Sequence, residues 1–328
     1  MLSRLSATLL LLFWIELSAA APAHAFWLWT SQKGKFERSG EAAEATAAGQ
    51  FRWAQELFQK GDFEKAAQEF AKVAKRFPKS KEAMEALYFK GVSQEEMGDE
   101  YEAYQSYQEV VNRYPETQRV GEIVDRQFRI GNYFLTKEEK KVAGVTVPIL
   151  PGLDRAKALE VFEHVSANAP YGPHAVEALS SIGHIHFDDE KYTLSIRAFE
   201  ELVKDFPASE KAEEAEFMIS NAAFRLAEQS GHDAAGMGAA LDKLEGFLEK
   251  YPESKWKGEA EGLLLAVNEK MAEEEFNIAA FYEKQNYFSS AEVYYKNVSE
   301  KFPGTTWALM AEEKLKEIDA PLLKGGAQ

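Results

Sequence analysis

Six of the eleven prolines close the same recurring phrase, and that recurrence restricts the chain to a narrow set of folds. They are Pro78, Pro115, Pro170, Pro207, Pro252 and Pro303. Twelve residues before each stands a small residue: Ala66, Ala103, Ala158, Ser195, Ala240 and Ala291. Eight before it is a large apolar one, namely Phe70, Tyr107, Phe162, Phe199, Leu244 and Tyr295, and five before it are Val73, Val110, Val165, Leu202, Phe247 and Val298. Steps of four and three put these positions on one face of a helix, where the small residue lets a second helix approach. Just past the prolines, Ser80, Thr117, Ser209, Ser254 and Thr305 are expected to cap the helix that follows.

A preceding helix is marked by its own small residue at Ala54, Gly91, Gly131, Gly183, Ser220 and Ala279. From that residue to the proline the step is 24 in four units (54 to 78, 91 to 115, 183 to 207, 279 to 303). The pattern resembles the tetratricopeptide repeat, a two-helix unit with a period of about 34 residues. It predicts an all-α superhelix of about six units, hence some twelve helices, with a concave inner face and a capping helix from Thr305 to Ile318. The third unit carries an insertion at 137–152 whose tip includes Val147 and Ile149. Apolar residues in a long loop either make a partner contact or pack back on their own helices. The fifth unit has extra residues around Ser230 to Gly238. Before the sixth, Lys255 to Met271 forms a helix that runs on into Ala272 to Gln285.

The first residues read as an export signal at 1–25. Arg4 precedes the apolar run Ala7 to Leu17, and Ala23-His24-Ala25 has the form of a cleavage site. A segment at 26–49 follows. It opens with the aromatic cluster Phe26, Trp27 and Trp29, which either docks into the protein's own groove or meets a partner or membrane interface. Repeats fill 50–252, a C-terminal unit 253–318, and a tail 319–328. A formal net charge of −16 disfavours nucleic acid, and the absence of cysteine excludes disulfides, thiolate zinc sites and a cysteine nucleophile. No second long apolar run follows, so the mature chain is expected to be peripheral to a membrane at most.

Three residues before each small residue of the first helices stand Phe51, Tyr88, Phe128, Ser180, Phe217 and Phe276, and four after the first three of these come Gln55, Val92 and Asn132. The rows are read as the lining of a peptide groove around Phe51, Gln55, Tyr88, Val92, Phe128 and Asn132, with amides to bond an extended backbone. Partner docking is assigned to Phe276, Tyr282, Glu283, Val147 and Ile149. His184 and His186, two apart on a helix, diverge and cannot hold one metal; no catalytic, cofactor or metal site is assigned.

The run from Met271 through Ala279, Tyr287, Tyr295 and Phe302-Pro303 is similar to the last repeat of the BamD-like family of outer-membrane assembly factors. The first unit, with Gly61-Asp62-Phe63 and Phe77-Pro78, also resembles it. The resemblance implies a non-enzymatic periplasmic adaptor that binds the barrel-assembly core subunit and segments of unfolded outer-membrane proteins. Family members are typically lipoproteins, whereas this chain has no cysteine, so anchoring would fall to partners or to Phe26–Thr30. The rival readings are a repeat protein coordinating division and peptidoglycan with the Tol system, and an envelope enzyme accessory with an unrecognised site.

Overall fold

The computed structural model describes residues 27–30, 35–38, 44–136, 141–142, 145–146, 153–231 and 234–325, with side chains over 44–136, 153–231 and 234–318. The export signal, Phe26, Val147 and Ile149 lie outside the described residues, as do the side chains of Trp27 and Trp29. The chain divides into two compact units, Met1–Asp99 and Glu100–Gln328.

In the first unit, β1 (Trp27–Thr30) pairs antiparallel with β2 (Lys35–Arg38), Trp27 opposite Arg38. Helices α1 (Ala47–Gln59), α2 (Phe63–Arg76) and α3 (Glu82–Met97) follow. Ala54, Leu57, Ala66, Phe70, Val73 and Ala86 form their core. In the second unit, α4 (Glu100–Arg113) and α5 (Val120–Thr136) precede the short ladder of β3 (Lys141–Val142) with β4 (Val145–Thr146). Then come α6 (Leu153–Asn168), α7 (Ala175–Asp188), α8 (Tyr192–Asp205), α9 (Ala212–Gln229) and α10 (Ala234–Lys250). The 28-residue α11 (Lys257–Lys284), α12 (Phe288–Lys301) and α13 (Thr306–Gly325) end the chain. The all-α class holds, with twelve repeat helices and a cap among the described residues; α13 runs past the expected end at Ile318.

The small-to-large register explains the pairing. A Cβ built on Gly183 would stand 2.6 Å from the Phe199 ring, and one on Gly131 would stand 2.8 Å from that of Phe162. Each ring is therefore seated against bare backbone of the partner helix. Between paired helices one residue takes a left-handed conformation at the same place in four repeats: Gly61, Gly98, Glu190 and Asn286.

The capping expectation is corrected in part. Thr305 caps α13, its Oγ1 accepting from Ala308 N at 3.1 Å, and the hydroxyls of Thr117 and Ser254 accept from the backbone N–H two residues on. Ser80 and Ser209 do not cap. Their hydroxyls are buried without a partner among the described residues, while their carbonyl oxygens accept from Ala83 N and Ala212 N. The serines thus contribute their carbonyls.

His186 on α7 is buried, and its Nδ1 finds no partner among the described residues. Burial holds the imidazole below its ordinary pKa of 6.5, helped by Lys191 and opposed by Glu163 and Asp189. A depressed histidine pKa means that the unfolded chain binds the proton more tightly. Stability from this group is therefore complete above pH 6.5 and is lost as pH falls below it. Melting temperatures taken across about pH 7 to pH 5 should fall less steeply for His186→Phe than for the parent chain. Parallel curves would remove His186 from the acid response.

Candidate protein-docking face

The aromatic row on the first helices lies largely inside the protein. Phe51 packs on Phe70 (ring centroids 5.5 Å) and Phe89 (6.2 Å); Phe128 sits on Phe162 (5.9 Å) and stacks on His174 (4.2 Å). Phe217 meets Phe247 and stacks on Trp256 at 5.0 Å, and Phe276 meets Tyr295 and Trp307, both at 5.1 Å. Each ring fills the gap between its own helix, the paired helix and the start of the next pair. Helix axes 8–10 Å apart leave space there that only a large side chain occupies. The groove reading is accordingly corrected for Tyr88, 2% exposed, and for the buried Val92; Phe276, 6% exposed, is core rather than docking surface. Phe51, Gln55, Phe128 and Asn132 are half-buried. Asn132 gives its Nδ2 donor to Phe128 O in its own helix at 3.0 Å.

An open apolar surface lies at the last repeat, and its cause is the length of α11. Ala260, Leu263, Leu264 and Val267, in the first half of α11, close the core shared with α9 and α10. From Ala272 onward the helix belongs to a second core with α12 and α13, built on Phe276, Ala279, Ala291, Tyr295, Val298 and Ala311. At about 1.5 Å per residue the helix is some 42 Å long, so the preceding pair covers its first half and leaves the second half bare on one side.

Internal comparison identifies what is left bare. The residues one before and two after the small crossing position are Ile182 and Ile185 in the fourth repeat, Ile219 and Ala222 in the fifth, all buried. Their counterparts in the last repeat are Ile278 and Phe281, the latter 59% exposed. The ring series continues from Phe281 to Tyr282 (5.8 Å) and on to Tyr287 (6.5 Å), with Tyr282 stacked on Tyr294 at 5.4 Å. Tyr287, 63% exposed, occupies a turn position filled by Asp62, Asp99 and Lys191 in other repeats. Phe288 beside it is also exposed. Together Ile278, Phe281, Tyr287 and Phe288 present on the order of 400–500 Å² of apolar surface, near the upper limit for an unpartnered patch.

Tyr282 is half-buried and forms the floor of this face. Glu283 is turned inward: it accepts from Tyr295 Oη at 2.6 Å and from Lys314 Nζ at 3.3 Å, tying α11 to α12 and α13. Burial, reinforced by that carboxylate, holds the Tyr295 phenol well above its ordinary pKa. Glu283→Ala orphans a buried hydroxyl and should cost about 1–3 kcal/mol of stability. Adding Tyr295→Phe should recover part of the loss in thermal melts; full additivity of the two would contradict the pairing.

Of the residues assigned from sequence, only Tyr282 belongs to this face. Ile278, Phe281, Tyr287 and Phe288 were not assigned, although a tyrosine at a turn position otherwise held by Asp or Lys was a visible signal. Among the described residues no cluster of three potential metal ligands occurs and no helix is long and apolar enough to cross a membrane.

The profile of the YfiO family, described as outer membrane lipoprotein, matches residues 150–319, just over half of the chain and the part that carries this face. The chain belongs to the YfiO family. A tetratricopeptide repeat profile matches residues 51–116. A curated relative of this YfiO-family chain is the outer membrane protein assembly factor BamD of Caulobacter vibrioides, 23% identical over 157 residues, or 47% of this chain and 52% of that protein. The chain thus spans about half the length of the curated relative it matches. Solved structures similar to it include a tetratricopeptide repeat protein from Parabacteroides merdae, 13% identical over 83% of this chain and 98% of that one (TM-score 0.30). MamA from Desulfovibrio magneticus is 19% identical over 65% and 99% (TM-score 0.27).

Proposed function

We propose that this chain is a non-enzymatic scaffold in outer-membrane β-barrel assembly, exported by the leader at 1–25 and working at the periplasmic face of the outer membrane. The observation that carries the reading is the uncovered face of Ile278, Phe281, Tyr287 and Phe288, which lies within the YfiO match. Exposed aromatics around a rigid helix end are typical anchors of a protein interface, and the barrel-assembly core subunit is the partner assigned to them. The name of the Caulobacter relative supports that assignment. Segments of unfolded barrel proteins are the proposed second cargo, held beside Phe51 and Gln55 in the first repeat.

Isolation of the tagged chain from its own envelope in mild detergent tests the reading. Stoichiometric recovery of the barrel-assembly subunit is the expected result. Recovery of division or peptidoglycan proteins without that subunit would transfer the chain to the Tol-associated reading.

A further inference from the structure

The corner between α2 and α3 concentrates positive charge in a protein that is otherwise strongly acidic. Lys72, Lys75, Arg76, Lys79 and Lys81 fall within ten positions, and residues 70–81 contain no carboxylate. Lys75, Arg76, Lys79 and Lys81 are exposed. Lys72 is paired with Glu69 at 2.7 Å; among the described residues no carboxylate pairs with the other four.

Comparison between repeats separates what the fold needs from what it does not. Arg76 has counterparts in Arg113, Lys250 and Lys301, which sit in the last turn of a helix and complement its dipole. Lys75 shares the last turn of α2 with Arg76, whereas Lys79 and Lys81 have no such role. At the position of Lys75 other repeats hold Asn112, Ala167, Lys204, Glu249 and Glu300; at that of Lys79, Glu116, Tyr171, Ala208, Glu253 and Gly304; and at that of Lys81, Gln118, Pro173, Glu210, Lys255 and Thr306. Only the first repeat gathers four cations and no carboxylate over these seven positions; the fifth comes nearest, with Lys250 and Lys255 beside Glu249 and Glu253. Two apolar residues sit within the cations: Pro78 is exposed, and half-buried Phe77 lies 5.9 Å beneath the Arg76 guanidinium.

We propose that this corner is a docking site for a bilayer surface rich in anionic phospholipid. Clustered lysine and arginine with adjoining apolar groups is the chemistry that such an interface selects: the cations meet headgroup phosphates while a ring edge enters the headgroup layer. The aromatic run Phe26-Trp27-Leu28-Trp29, earlier in the chain, has the composition of an interfacial anchor. The net charge of −16 does not cancel the patch, because at physiological salt fields decay over about 8 Å and the headgroups respond to the local run.

Sedimentation of the full chain with vesicles tests this, using phosphatidylcholine alone and phosphatidylcholine with about one-third phosphatidylglycerol. The partner chain in the comparison is the triple variant Lys75→Glu, Lys79→Glu, Lys81→Glu, which leaves the helix-capping Arg76 in place. Apolar insertion elsewhere is common to both chains and both lipids. The parent is expected to bind the anionic vesicles at least about tenfold more tightly than the variant, the difference vanishing on phosphatidylcholine and shrinking with added salt. Equal melting temperatures would establish that the variant is folded; if it is not, the salt dependence and the lipid preference of the parent decide. Equal binding of folded variant and parent, no preference for the anionic vesicles, or displacement by millimolar inorganic phosphate or polyglutamate would each overturn the proposal. The last two competitors would identify a free-anion site and an acidic-protein site respectively.

Discussion

Gly183→Leu should lower the stability of the second unit by about 3 kcal/mol or more, while Gly183→Ala should cost roughly 1–2 kcal/mol. Helix propensity alone points the other way, since replacing glycine by alanine inside a helix gains about 1 kcal/mol. The sign is decided by Phe199, whose ring has three atoms within 2.8 Å of the new Cβ and is fully buried with nowhere to retreat. At about 2–4 °C per kcal/mol for a unit of this size, the leucine variant should melt roughly 10 °C lower. Gly262→Ala in α11, where an added Cβ meets nothing within 4 Å, is the control and should be neutral or stabilising. Phe199→Leu in the Gly183→Ala background should recover part of the loss. A Gly183→Leu chain melting within about 2 °C of the parent would mean that these helices cross elsewhere.

The double variant Ile278→Glu, Phe281→Glu should weaken partner binding by about a hundredfold, near 3 kcal/mol, and leave the melting temperature almost unchanged. Both side chains are exposed, so a charge there meets water in the free protein and costs the fold little. In a complex the same charges would be buried against an apolar surface without a counter-ion. Phe276→Ala, five residues upstream, should behave in the opposite way, with a loss of about 3–5 kcal/mol of stability, because its ring lies against Tyr295 and Trp307 in the core. Titration of the purified chains against the purified barrel-assembly subunit, with parallel melts, separates these outcomes.

The helical pairs were legible because small, large and proline positions recur in a fixed register. Ala54 with Phe70 and Gly183 with Phe199 are two instances of one contact, and a spacing that survives in several copies leaves little freedom in the pairing. The extended approach helix was legible for the same reason. Exposure was harder to read. Phe276 and Phe281 are both phenylalanine on one helix, and which is inside depends on where α9 and α10 end against α11. That is a tertiary fact with no local sequence signature. Comparing Ile278 with Ile182 and Ile219 does not help by itself, since residue type is retained while the cover is gone. The groove assignment failed at Tyr88 and Val92 for a related reason: periodicity finds the face of a helix but not whether a neighbouring helix fills the space in front of it. The serines at 80 and 209 misled because a capping residue and a turn residue share the same composition, and only the hydroxyl geometry distinguishes them. The two short ladders, Trp27–Thr30 with Lys35–Arg38 and Lys141–Val142 with Val145–Thr146, lie in segments that the repeat register does not reach.

The central claim is that a protein partner sits on the bare half of α11 and the turn after it, and site-directed photocrosslinking in the native envelope tests it most directly. A photoreactive residue is placed in turn at Phe281 and at Tyr287, with Glu245, exposed on α10, as the control position. One dominant adduct, with the barrel-assembly core subunit, is expected at 281 and 287 and none at 245. Adducts of equal yield at all three positions, or no adduct with that subunit at 281 and 287, would contradict it.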